Sequence, residues 1–134
     1  MTPSDIEVEF SKVRLDHAEG VYEIGRLNDR WANLKSEAAN LRKAVKDIET
    51  SIMINTLFDG KNEKIREAQF HRHCTLDLAW VEANEALTGT VIDIETCERD
   101  IELRNRSLRA KELQMQFRIE QMQFLNTPRF YKEI

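Results

Sequence analysis

The stretch Leu27-Asn28-Asp29-Arg30-Trp31-Ala32-Asn33-Leu34-Lys35-Ser36-Glu37-Ala38-Ala39-Asn40-Leu41 decides the fold. Its residues Leu27, Trp31, Leu34, Ala38 and Leu41 recur in steps of 4 and 3. The alternation continues without slippage through Ile24, Gly20, His17, Val13, Phe10 and Ile6 on one side and Val45, Ile48 and Ile52 on the other. Of these positions only His17 and Gly20 are not apolar. A period of about 3.5 residues keeps one narrow stripe turned towards one partner helix over many turns, so the pattern specifies a coiled coil.

The ends of this helix are marked by chemistry. Ser4-Asp5-Ile6-Glu7 reads as a capping box, in which the Ser4 hydroxyl and the Glu7 carboxylate satisfy free N–H groups at a helix start. The convincing break is Phe58-Asp59-Gly60-Lys61-Asn62, with Gly60 suited to a left-handed cap and Asn62 to the N-cap of the next helix. A second helix is expected from Asn62 to about Asn126, before Pro128. It carries its own seam of Leu76, Trp80, Ala83, Leu87, Thr90, Ile94, Cys97, Ile101, Arg104, Leu108, Lys111 and Met115. Folding back at Gly60 opposes Val45 to Leu76, Leu41 to Trp80, Gly20 to Ile101, His17 to Arg104 and Ile6 to Met115. The same register lays Trp31 beside Thr90 and Gly89, where a missing side chain leaves room for the indole; a kink at Gly89 is the alternative.

The expected fold is therefore all-α, a long antiparallel two-helix coiled-coil hairpin suited to assembly into a larger helical bundle. It is a single domain over residues 1–134, with helices at about 4–58 and 62–126, a turn at about 59–62 and a tail at 127–134. Each arm would run about 75 Å at 1.5 Å per residue, which offers no enclosed interior for an active site.

Composition agrees with a helical interaction protein. Of 134 residues, 41% are hydrophobic and 33% charged, and four Gly and two Pro leave little material for turns. The net charge of -4, with acids and bases interleaved, argues against binding nucleic acid by bulk charge. Cys74 and Cys97 lie far apart on one predicted helix, so no bridge forms between them and a reduced cytoplasmic setting is expected. The acidic N-terminal stretch does not read as a signal peptide, and no membrane association is expected.

Candidate chemistry is sparse. His71-Arg72-His73-Cys74 concentrates metal ligands, but on a helix only His71 and Cys74 share a face, short of the four of a structural zinc site. The His17 and Arg104 pair reads as a polar layer that fixes register. No phosphate loop, nucleophile elbow or converging carboxylate pair appears, so no enzyme activity, cofactor, metal or small-molecule substrate is expected. Arg104, Arg106, Arg109, Lys111 and Arg118 make the second helix locally basic and form a candidate nucleic-acid contact. Acidic residues of the first helix opposite them provide a plainer explanation, salt-bridged flanks. The strongest candidate surface is the C-terminal overhang. With Met115 facing Ile6, residues after about 116 lack cover, yet include Phe117, Ile119, Met122, Phe124, Leu125, Phe130 and Tyr131. Such a patch points to homo-oligomerisation or a protein partner.

The stretch Leu57-Phe58-Asp59-Gly60-Lys61-Asn62-Glu63-Lys64-Ile65-Arg66-Glu67-Ala68-Gln69 resembles a turn in small helical-hairpin proteins of tailed bacteriophages and prophages, in which a Gly-Lys-Asn-Glu core precedes an Arg and a small residue. The matched positions are Gly60, Asn62 and Arg66, and the resemblance carries over no functional residue. It implies a phage origin and an accessory role in the host cytoplasm. The partner would then be a host defence or nuclease component, or a phage recombination or replication protein.

Overall fold

The computed structural model describes residues 2–126, and it is all-α: α1 spans Pro3–Asn55, α2 Glu63–Leu76 and α3 Leu78–Asn126. All of the α1 seam positions from Ile6 to Ile52 are buried or half-buried. The heptad reading of this helix holds along its whole length because no residue is inserted or deleted in the repeat.

The start of α1 is capped two residues earlier than Ser4 and Glu7 suggest. The Thr2 hydroxyl accepts from the Asp5 N–H at 3.2 Å, and the Asp5 carboxylate accepts from the Thr2 N–H at 3.1 Å. Pro3, with its preset φ and no N–H to lose, occupies the first helical position. The Thr2 hydroxyl and N–H hold the Asp5 carboxyl below its ordinary range. Helix α1 ends at Asn55 and not near residue 58, so the turn is longer than expected. Asn62 caps α2 as its sequence suggests, its side chain accepting from the Ile65 N–H at 2.9 Å.

The second arm is not one helix. Asp77 adopts extended φ and ψ of -86° and 114°, donates its N–H to the Cys74 carbonyl at 3.1 Å and accepts from the Trp80 N–H at 2.9 Å. One aspartate thus ends α2 and caps α3. Gly89, by contrast, sits inside an uninterrupted α3, and a Cβ added there meets nothing within 4 Å. Gly89 therefore does not supply the room for the Trp31 indole that the sequence suggests.

The chain divides into two compact units, each antiparallel. One pairs α1 up to Asp29 with α3 from Arg99, and the other comprises Arg30–Glu98. In the first unit a Cβ on Gly20 would lie 3.0 Å from Leu108, His17 Nε2 lies 3.1 Å from Glu112, and Arg118 pairs with Glu9. In the second, the Trp31 indole donates to Glu98 at 3.0 Å and the Trp80 indole to Glu49 at 3.2 Å. These contacts replace Gly20 with Ile101, His17 with Arg104 and Leu41 with Trp80. The register is displaced by one heptad, about seven residues, a shift that leaves both seams facing each other. The break at Asp77 explains it, since α3 is no longer tied to the Gly60 turn by an unbroken helix. Leu76, expected opposite Val45, is 75% exposed, and Cys74 is buried in the second unit instead.

Candidate interaction surface

Displacement by a heptad changes the C-terminal overhang. Ile6, fully buried, now lies at the level of Met122, and Met115, Arg118 and Met122 are half-buried seam residues. The expectation that α3 is uncovered beyond residue 116 is therefore corrected: α1 covers its seam to about the last described turn. What stays exposed is elsewhere on α3. Phe117 is 59% exposed, Phe124 and Ile119 also remain accessible, and Leu125, at the seam position after Met122, is exposed as well. Phe130 and Tyr131 lie outside the described residues.

The exposed residues fall into a pattern. Leu103, Arg106, Ala110, Leu113, Phe117 and Glu120 advance in steps of 3 and 4, a second heptad phase on the back of α3, and Phe124 continues it. Leu103 and Leu113 are each 61% exposed. On α1 of the same unit, Val8, Leu15 and Tyr22 form a shorter exposed line at heptad spacing. The reading from sequence picked out Phe117 and Phe124 but missed Leu103, Leu113, Val8, Leu15 and Tyr22. Their signal was present as a second alternation offset from the first, masked by the stronger seam.

Two of the candidate basic residues of this unit, Arg106 and Arg118, are paired with acids. Arg118 pairs with Glu9 and donates to Gln121 at 2.9 Å, and its guanidinium also sits 5.7 Å from the Phe117 ring centroid. Arg106 pairs with Glu102 one turn away. Arg104 and Lys111 line an open hollow of about 440 Å³ together with Asp16, Glu19 and Glu23. Arg109 is exposed. Flanks of this kind add little stability per pair when solvated, but they set which helices face each other.

In the second unit, the turn is wired to α2. Arg66 donates to the Gly60 carbonyl at 3.1 Å, and the Gln69 side chain accepts from the Gly60 N–H at 3.2 Å while donating to Asp59 at 3.0 Å. Phe58 stacks edge-on against Phe70 and His73, at centroid distances of 6.0 Å and 5.6 Å. His73 is therefore engaged with an aromatic ring, and among the described residues no three His, Cys, Asp or Glu side chains gather as metal ligands. Burial pushes the Cys74 thiol up, and the Glu49 and Asp77 carboxylates add to the effect, so this cysteine is held in its unreactive thiol form. Met53, Phe58, Glu63, Arg66, Glu67 and Phe70 border an open groove of about 340 Å³ beside the exposed Ile54 and Leu57.

No described helix is long and apolar enough to cross a membrane. In comparisons with protein-family models, curated proteins and solved structures, nothing matches the chain.

Proposed function

We propose that this protein is a non-enzymatic coiled-coil interaction protein that works by associating with other helices through the exposed back of α3. The observation that carries the reading is the coexistence of a thin core with a regular exposed apolar line. Among the described residues of the unit that contains Leu103 and Phe117, Ile6 and Val13 are the buried ones. A heptad-spaced apolar line on solvent is costly to maintain unless another helix covers it. Phosphate binding by the basic stretch is the weaker reading. Arg106 and Arg118 are engaged with carboxylates, and Arg104 and Lys111 share their hollow with three more.

The test is the mass of the full chain in solution by light scattering, beside Phe117→Glu, with circular dichroism to confirm that both are helical. The reading expects the full chain to exceed its monomer mass of 15.8 kDa and Phe117→Glu to shift towards the monomer. A helical monomer for the full chain up to high micromolar concentration rejects self-association.

A further inference from the structure

The second phase of α3 also specifies its occupant. Of Leu103, Arg106, Ala110, Leu113, Phe117 and Glu120, only Arg106 and Glu120 are not apolar, and they lie one heptad on either side of Leu113 with opposite charge. We propose that this line is a self-docking seam, on which α3 of a second copy packs antiparallel about a two-fold axis through Leu113. The inference rests on the reading of the protein as an associating helical protein and names its partner.

Charge complementarity decides the direction. Antiparallel pairing centred at Leu113 sets Arg106 of each copy against Glu120 of the other, two attractive contacts related by symmetry. Parallel pairing in register would stack Arg106 on Arg106 and Glu120 on Glu120. Size agrees with charge: the antiparallel arrangement brings Ala110 within one residue of the level of Phe117 of the second copy, a small side chain beside a ring. The existing pair of Arg106 with Glu102 is between exposed side chains on one helix turn, is weak because water screens it, and leaves guanidinium donors for a second carboxylate. A two-fold contact is closed and consumes the whole line in both copies, so it yields a dimer and not a filament.

The experiment measures the dimer dissociation constant of the full chain by sedimentation equilibrium for the unaltered protein, Arg106→Glu, Glu120→Arg and the double exchange. Each single reversal creates two like-charge contacts and is expected to weaken association about tenfold or more, and the double exchange is expected to restore it. Circular dichroism controls for folding, since both positions are exposed. Association that ignores the single reversals, or is not restored by the exchange, overturns this seam while leaving the protein an associating one. A monomeric unaltered chain overturns the seam and the self-association together.

Discussion

At the scale of single residues, two glycines respond oppositely to an added methyl group. At Gly60 a Cβ would lie 2.7 Å from Ile65 Cγ2 and 3.1 Å from both the Arg66 amide nitrogen and Ile65 Cβ. The backbone there has no positive φ, so the turn needs Gly60 for close approach and not, as its sequence suggests, for a left-handed cap. A β-branched side chain on a capped first turn has little freedom to retreat. Gly60→Ala is expected to destabilise by about 1–3 kcal/mol. At Gly89 the same change meets open space inside a helix, where glycine costs about 1 kcal/mol relative to alanine. Gly89→Ala is therefore expected to stabilise by up to about 1 kcal/mol, and urea denaturation of the two variants checks both signs. That Gly60 was needed was legible in the sequence; the reason was not, because it depends on where Ile65 is carried by the α2 cap.

At the scale of the elements, Asp77 is the decisive position. Leucines, alanine and tryptophan around it favour a continuous helix, and nothing in that composition advertises a stop. The break is held by a side chain that accepts from Trp80 in place of the helical bonding pattern, a competition that short acidic side chains win at caps. Asp77→Ala should cost about 1 kcal/mol and loosen the first turn of α3, seen as faster amide exchange at Trp80. Unchanged stability with slower exchange would mean that α2 and α3 merge into one helix and that Asp77 does not hold the break.

At the scale of the whole molecule, register is the quantity that matters. Both units, taken separately, pair α1 with the second arm one heptad away from the register that the Gly60 turn suggests. Cysteines introduced at Gly20 and Leu108, with Cys74 and Cys97 replaced by serine, should cross-link readily on mild oxidation. A pair at Gly20 and Ile101 should not, and efficient linkage of that second pair would restore the register expected from the turn. The seam residues of α1, the caps at Asn62 and the all-α class follow from the sequence alone, because periodicity and side-chain hydrogen bonding are local properties. A heptad pattern, however, matches itself after every shift of one repeat, so it fixes which faces meet and leaves open which residues do. That choice was made in three dimensions, by Glu9 with Arg118, His17 with Glu112 and Gly20 against Leu108, and by a helix break that freed α3 from the turn. Moving the seam by one heptad covers Met122, whereas Leu103, Leu113 and Phe117 face solvent in either register, because a whole-heptad shift brings the same faces together.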